Sequence, residues 1–320
     1  MSEEQKDTFS WLFGLRSYFE FTHDLEKLRI IKLLIGLKFG NVNDINDMVK
    51  SACLIDTEFY TSEYQIKNRE QRFRLYFDFL DQNSSSWNVY NVLNIFHLLF
   101  EYDEFLTPLN DLVVRYSFDS SVKDAFSRGQ VNSKVWLVET LQKLIKPNTV
   151  LNDIVIIGGW YGHLTHYLHN RIEYNRFYNI DPHEFNGFVG KESFNKNNSK
   201  YSVSSRQIED VNYVPGQGYH IELGNYDDNF KFNPTHIQIV NPDLIINTSC
   251  EHMGDAWFHS IEPGRVIALQ TNNLKNIAPD HINCIDKISD MDVKYPMSKV
   301  LFQGELDISV GKRYMKIGIK

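Results

Sequence analysis

The stretch Asp153-Ile154-Val155-Ile156-Ile157-Gly158-Gly159-Trp160-Tyr161-Gly162-His163-Leu164-Thr165 decides how this chain is read. Four apolar residues, Ile154 to Ile157, run directly into glycines. A continuous apolar run of that length fits a strand buried on both faces, as in the middle of a parallel sheet. Gly158 and Gly162 supply positive φ and leave no Cβ in the way of a ligand that approaches the backbone. A helical pattern follows at once, and the first N–H groups of a helix lack intrahelical partners. The next strand, Arg176-Phe177-Tyr178-Asn179-Ile180, ends in Asp181-Pro182. An acid about 20 positions after a glycine-rich strand–turn–helix is placed to hydrogen-bond a ribose diol. The pair predicts a site for a nucleoside-containing cofactor.

The rest of the chain sets the context for that site. Its 320 residues suffice for one large domain or two ordinary ones. With 42% hydrophobic and 14% aromatic residues, a substantial core is available. A net charge of −8 argues against a protein held to nucleic acid by bulk charge, while a local basic groove stays open. Cys53, Cys250 and Cys284 lie far apart with no CxxC, so reduced thiols are expected rather than a zinc ribbon or disulfide framework. The first residues, Met1-Ser-Glu-Glu-Gln-Lys-Asp7, do not read as a signal peptide. No uncharged apolar run approaches the roughly 18 residues of a membrane span. A cytoplasmic protein with no membrane partner is the expectation.

Upstream of the opening stretch the pattern is helical. Leu25, Leu28, Ile31, Leu34 and Ile35 recur at helical spacing, with Gly36 and Gly40 as the expected stop. Asp44–Leu54, Arg69–Leu80 and Trp87–Phe100 are further helix candidates, and Asn83-Ser-Ser-Ser86 is turn chemistry. The aromatic residues of this half read as core. A helix to about Lys146 follows, capped by Asn132 or Ser133, with Val135, Leu137, Val138, Leu141 and Leu144 as its apolar side.

From Val150 onward, strands alternate with helices. Expected strands are Ile154–Ile157, Phe177–Ile180, Tyr201–Ser204, Leu244–Asn247 and Arg265–Gln270. Helices are expected at His163–Arg171 and Gly254–Ile261, a polar loop at 186–200 and an irregular segment to about 234. The tail predicts a hairpin, 300–308 and 314–319 about a turn at Gly311, and such strands pair only antiparallel. The domain reading is an α-helical N-terminal domain, 1–126, before an α/β Rossmann-like domain, 127–320.

That arrangement, with these residues, resembles the class I S-adenosylmethionine-dependent methyltransferases from about residue 127 to the C-terminus. Gly158-Gly159-Trp160-Tyr161-Gly162 is similar to that family's first motif, the glycine loop under the methionine part of the cofactor. Asp181, with Pro182 behind it, is similar to the second-strand acid that holds the ribose. Pro242-Asp243-Leu244-Ile245-Ile246-Asn247-Thr248-Ser249-Cys250-Glu251-His252-Met253 is similar to the fourth-strand motif at the methyl-transfer site, which adds Asn247 and Ser249 to the cofactor set. Pro263-Gly264 is similar to the turn before the fifth strand. The chain is also similar to methyltransferase-like proteins of tailed phages. The resemblance implies a mostly parallel seven-stranded sheet closed by a C-terminal antiparallel hairpin, and S-adenosyl-L-methionine as cofactor. Gln130, Ser133 and Lys134 are placed to reach its carboxylate end, with ordinary helix capping as the alternative. Two departures are visible: Ile156 stands where the family usually has an acid, and Trp160 replaces the middle glycine.

Methyl transfer from a sulfonium is an in-line displacement, so positioning dominates, with base assistance where the acceptor carries a proton. Glu251 and His252 are the expected acid/base pair, since histidine titrates near neutrality and a neighbouring carboxylate tunes it. The alternative is that Glu251 caps the next helix and His252 holds the loop. Cys250 is expected to be a small buried thiol, because the Pro-Cys pair of cytosine-attacking enzymes is absent. Asn247-Thr-Ser-Cys250 departs from the Asn/Asp-Pro-Pro-aromatic motif of enzymes that methylate exocyclic amines of DNA. Trp160 and Tyr161 either wall the cofactor or pack. Asp181, His183 and Glu184 read as ribose binding plus surface groups, so no metal is expected. Ser204-Ser-Arg-Gln207-Ile208-Glu209 is the candidate for adenine contacts. The acceptor stays open among small molecule, protein and nucleic acid. The second function class is a catalytically degenerate module serving a larger assembly, and a dinucleotide-binding fold lacks its G-x-G-x-x-G spacing here.

Overall fold

The computed structural model describes residues 9–40, 71, 74–75, 77–80, 82, 87–100, 103–116, 119–275, 277 and 279–320. The expected helix at 44–54, the turn at 83–86 and Cys53 lie outside them. The chain divides into two compact units, Met1–Asn132 and Ser133–Lys320.

Among the described residues the first unit is helical: α1 (Ser10–Thr22), α2 (Leu25–Lys38), α3 (Val89–Leu99), α4 (Leu106–Tyr116) and α5 (Asp119–Ala125). α2 starts where the Asp24 carboxylate accepts the Lys27 N–H at 3.1 Å, an N-cap. It runs through Gly36 and stops only before Gly40, at φ 74°, so Gly36 is not the terminator. Its buried face is Ile30, Ile31, Leu34 and Leu37, whereas Leu25 is exposed. The face is thus rotated from the one expected, and it turns its more C-terminal residues inward. Phe19, Phe77 and Phe96 are fully buried, as core aromatic residues should be. Described residues of 71–82 are helical.

α6 (Arg128–Leu144) begins four residues before the expected cap. The Ser127 hydroxyl accepts the Gln130 N–H at 3.4 Å, so Ser127 occupies the capping position and Asn132 and Ser133 fall inside the helix. Leu137, Val138 and Leu141 are buried, but Leu144 is exposed.

The second unit is built on a seven-stranded sheet in the order β3-β2-β1-β7-β8-β10-β9. Its strands are β1 (Val150–Ile157), β2 (Glu173–Ile180), β3 (Tyr201–Ser204), β7 (Leu244–Asn247), β8 (Val266–Asn272), β9 (Lys299–Ile308) and β10 (Gly311–Ile319). All neighbours are parallel except β10, which runs against both β8 and β9. This is the mostly parallel sheet closed by an antiparallel hairpin that the sequence predicts. The hairpin's turn is Ser309–Val310, with Gly311 already paired to Ile308. Two turn residues join antiparallel strands most tightly, so Gly311 belongs to the strand.

Ile154 to Ile157 are each at most 1% exposed, and each contributes roughly 2 kcal/mol of burial. Val155 and Ile157 join one core with Tyr178, Ile180, Ile245, Trp257 and Phe258, while Ile154 and Ile156 are buried on the opposite face. From β1 the chain passes outward to β2 and β3, then returns to β7 on the other side of β1. The order therefore reverses between β1 and β7, and the carboxyl ends of strands at such a point form the ligand crevice of open α/β sheets.

Two expectations fail between these strands. Residues 184–194 are not a loop but α8 (Glu184–Val189) continued by a π turn, Gly190–Phe194. Buried Val189 and Phe194 give that segment an inward side, and the Asn195 amide donates to the Gly190 carbonyl at 3.1 Å. The polar tract from 195 onward alone is loop. Residues 212–240 form a second, antiparallel sheet, β4 (Asn212–Val214), β5 (Gly218–Tyr226) and β6 (Phe232–Val240). Buried Tyr219 and Ile221 alternate with less buried neighbours, the half-buried pattern of a strand. Gly218, at φ 97°, lies so close to β6 that a Cβ would stand 2.1 Å from the Val240 carbonyl oxygen. The helix expected at 163–171 is the short α7 (Leu164–Leu168), and α9 (Ala256–Ser260) and α10 (Asp290–Lys294) complete the unit. Among the described residues no helix is long and apolar enough to cross a membrane.

Candidate functional site

The turn after β1 has left-handed φ angles at Gly158 (65°), Trp160 (52°) and Gly162 (64°). For a residue with a Cβ this conformation costs roughly 1–2 kcal/mol, so Trp160 needs support. Its N–H donates to Asp181 Oδ2 at 2.9 Å, and its carbonyl accepts from Asn179 Nδ2 at 3.0 Å. Asn179 is completely buried and is the register partner of Ile156 on β2. The tether that an acid at position 156 would supply from β1 comes instead from the neighbouring strand. The indole at position 160 leaves the backbone with the shape a glycine would give it.

The side chains that glycine omits make room for neighbours within the protein. A Cβ on Gly159 would stand 2.2 Å from Asn179 Oδ1, and one on Gly162 would stand 2.2 Å from the Tyr201 hydroxyl oxygen. Asn179 Nδ2 also donates to that hydroxyl at 3.0 Å. Behind the turn, the Thr165 hydroxyl donates to Asn195 Oδ1 at 2.7 Å. Tyr161 is buried beside Phe194, so its ring packs, while Trp160 keeps partial exposure. His163 is fully buried, and burial, aided by the Lys134 ammonium, pushes its imidazole well below the usual value.

Asp181, at the end of β2, is 5% exposed. Besides Trp160 N–H it accepts the His183 N–H (3.1 Å) and the Asn186 amide (3.3 Å), both on Oδ1. Burial raises its pKa, and these donors act against that rise. A carboxylate offers about four acceptor positions, so three donors leave one, on the oxygen nearest the turn. That residue set fits a sugar hydroxyl at the turn. Half-buried Pro182 separates Asp181 from the His183 N–H that steadies it.

The loop after β7 comes to the same turn. Asn247 is buried and accepts the Ser249 N–H at 2.9 Å; the Ser249 hydroxyl donates to the Gly158 carbonyl at 2.9 Å. Cys250 is buried, and burial together with the Glu251 charge pushes its thiol well up, which suits a packing role. Glu251, 2% exposed, accepts on Oε1 from Asn272 Nδ2 and Arg313 Nη1, both at 2.6 Å, while among the described residues Oε2 has no hydrogen-bond partner. His252 is exposed; its Nδ1 lies 2.9 Å from Asp280 Oδ2 and its Nε2 4.0 Å from Glu251 Oε1. The His281 ring meets that of His252 edge to face at 4.7 Å.

Of the residues expected at the carboxylate end, Gln130 belongs to the first unit. Ser133 and Lys134 are buried in α6, and the Ser133 carbonyl accepts from Gln270 of β8 at 3.0 Å. In the 204–209 segment Ser204 and Ile208 are buried, Ser205 pairs with the Tyr226 hydroxyl, and Gln207 and Glu209 face solvent. Glu184 accepts the Phe232 N–H at 3.1 Å. Asn179, Tyr201, Arg313 and His281 were not singled out by the sequence; only the position of Asn179, one residue before the strand's last apolar residue, gives a signal there.

No protein-family model matches the sequence, and no curated protein matches it. Solved structures similar to the chain include the N-methyltransferase NodS from Bradyrhizobium japonicum WM9, at 9% identity and a TM-score of 0.41, covering 59% of this chain and 94% of that one. An S-adenosylmethionine-dependent methyltransferase from Clostridium acetobutylicum ATCC 824 is 12% identical at a TM-score of 0.42, covering 64% of this chain and 98% of that one. Human N-acetylserotonin methyltransferase in complex with SAM is 10% identical at 0.35, covering 70% and 58%. None of the three is a phage protein, and the likeness to tailed-phage proteins gains no support from them.

Proposed function

We propose that this chain is an S-adenosyl-L-methionine-dependent methyltransferase. The observation that carries the reading is the reversal of strand order between β1 and β7, with a left-handed turn on one side and Asp181 beside it on the next strand. Bound there, the cofactor supplies an electrophilic methyl group on a sulfonium. Asp181 accepts one ribose hydroxyl in its remaining acceptor position, and its ionised form serves that role. The 158–162 turn, locked by Asn179, sets the floor against which the cofactor is oriented. Gly158, Gly159, Trp160, Tyr161 and Gly162 form that floor, with Pro182, Asn247, Ser249 and, at the carboxylate end, Ser133 and Lys134 as the proposed remaining contacts. Glu251 and His252 stand on the acceptor side, because the Ser249–Gly158 hydrogen bond holds their loop against the turn.

The departures at Ile156 and Trp160 favour a non-catalytic module only if they deform the turn, and Asn179 together with the left-handed backbone at 160 preserves its shape. The test is calorimetry with S-adenosylmethionine and with its demethylated product. The wild-type chain should bind both, and Asp181→Ala should weaken binding at least tenfold, about 1.4 kcal/mol, with its circular dichroism unchanged. No heat with either ligand, or equal affinity in Asp181→Ala, overturns the reading.

A further inference from the structure

We propose that Glu251, His252 and His281 bind a divalent transition-metal ion of the zinc type, contrary to the absence of metal expected from sequence. One nitrogen of each histidine and one oxygen of Glu251 lie within 4.8 Å of one another. Each imidazole is already anchored through its other nitrogen. His252 Nδ1 lies 2.9 Å from Asp280 Oδ2, and His281 Nδ1 lies 2.8 Å from the Leu274 carbonyl oxygen. Metal-binding histidines almost always give their second ring N–H to a carboxylate or a backbone carbonyl, because this fixes the tautomer and turns the other nitrogen's lone pair toward the ion. In both rings Nδ1 is engaged in that way, which leaves Nε2 for an ion.

The third ligand explains a feature that pairing with Arg313 does not. Glu251 Oε1 takes the donors Asn272 and Arg313, and Oε2 is buried with no hydrogen bond among the described residues. An unsatisfied buried oxygen costs about 1–3 kcal/mol, more when charged, and a cation bound to this carboxylate would offset that cost. The plain alternative is an imidazolium at His252 shared between Glu251 and Asp280. At 4.0 Å from Oε1, Nε2 is beyond hydrogen-bond reach, and that alternative does not draw on the His281 ring that meets His252 edge to face. Cys284 does not enter the set: its sulfur lies on the Nδ1 side of His281, at 3.8 Å, and donates to Asn272 Oδ1.

Two imidazoles and a carboxylate suit zinc and its first-row neighbours rather than magnesium or calcium, which prefer oxygen ligands. Tetrahedral zinc bonds of about 2.0–2.1 Å put ligand atoms about 3.3 Å apart, so these must draw together by up to about 1.5 Å, which exposed His252 can accommodate. Three protein ligands leave a coordination position open, the arrangement that lowers the pKa of a bound water or hydroxyl. Resting on the methyl-transfer reading, an acceptor hydroxyl held by the ion would release its proton to solvent more readily, and its oxygen would form the O–CH3 bond as the S–CH3 bond breaks and the demethylated cofactor leaves.

The test needs neither cofactor nor acceptor. Tag-free chain stripped with chelator is titrated with Zn2+ by calorimetry and with Co2+ by visible absorption. The wild type should bind one equivalent of Zn2+, and Co2+ should give ligand-field bands of a low-coordinate site. His252→Ala and His281→Ala should each lose at least tenfold in affinity, while His236→Ala, on exposed β6, should bind as the wild type does. Circular dichroism of each variant guards against misfolding. No zinc binding by the wild type, or unchanged binding in the His252 and His281 variants, overturns the proposal. Zinc binding without S-adenosylmethionine binding would leave the metal site standing and remove the methyltransferase reading; the opposite outcome would do the reverse.

Discussion

Asp181 and Glu251 are both buried carboxylates at the carboxyl end of one sheet, yet their charges are handled in different ways. Asp181 is met by two backbone N–H groups and an amide, all neutral. Glu251 is met by the guanidinium of Arg313 and an amide, with one oxygen left over. Neutral donors orient a carboxylate without cancelling it, so Asp181 keeps its acceptor strength. A guanidinium cancels the charge and ties the loop after β7 to β10, whose partner residue is 62 positions away. One acid belongs to a site made locally; the other belongs to a site that exists only once the sheet has closed.

The comparison breaks hardest at Arg313. Removing one member of a buried ion pair leaves the other uncompensated, which costs about 3–5 kcal/mol. Arg313→Met in metal-free chain should lower the urea midpoint accordingly, whereas Arg313→Met combined with Glu251→Leu should recover most of the loss, because two apolar side chains of similar size carry no stranded charge. A single variant as stable as the wild type would mean that Glu251 is not held by its ion pair.

On the Asp181 side the corresponding dependence is on neutral hydrogen bonds, and Asn179 is the place to remove them. Asn179→Ala strips the donor from the Trp160 carbonyl and the Tyr201 hydroxyl together. The expected loss is about 2 kcal/mol, read from urea denaturation, with salt having little influence since no ion pair is broken. A loss that grew with falling ionic strength would place charge, not neutral pairing, at the turn.

The same contrast explains which parts of the molecule could be read from sequence. Ile154–Ile157, the glycines and Asp181 are close in the chain, and each carries a local signature, so the first half of the sheet and its turn were legible. The closing hairpin was legible because two extended runs so close together have one way to pair. The second sheet was not, since Tyr219 and Ile221 alternate only weakly among polar neighbours and their partner strand lies beyond a further turn. Ser127 was missed as the cap of α6 because Asn132 and Ser133 are equally good capping residues with no local feature against them. Asn179 looks like one more polar residue of a strand until its register with Ile156 brings it under the turn. Arg313 and His281 lie 62 and 30 positions or so from Glu251, and nothing near them in sequence announces a shared site.

The turn's one buried imidazole gives the smallest and most specific effect. Burial, with the Lys134 ammonium second, holds His163 neutral in the fold, whereas an unfolded histidine titrates near 6.5. Below about pH 6.5 the unfolded chain therefore takes up a proton that the folded chain refuses. Stability falls as pH drops, by up to about 1.4 kcal/mol per pH unit, until the folded group itself protonates. Asp181 acts in the opposite sense: its raised pKa makes the folded state the better proton binder, so ionisation lowers stability as pH rises above the ordinary carboxylate range. His163→Gln should flatten the slope between about pH 6.5 and 5 and leave the Asp181 contribution in place. The readout is the difference in slope from the wild type, so a general loss of stability in the variant does not obscure it. Lys134→Met should narrow the same window from below, because without the ammonium burial and the nearby His166 alone oppose protonation of the imidazole. Slopes that coincide in wild type and His163→Gln would show that this histidine takes up its proton in the folded state, and that the turn is wetter than its neutral hydrogen bonds imply.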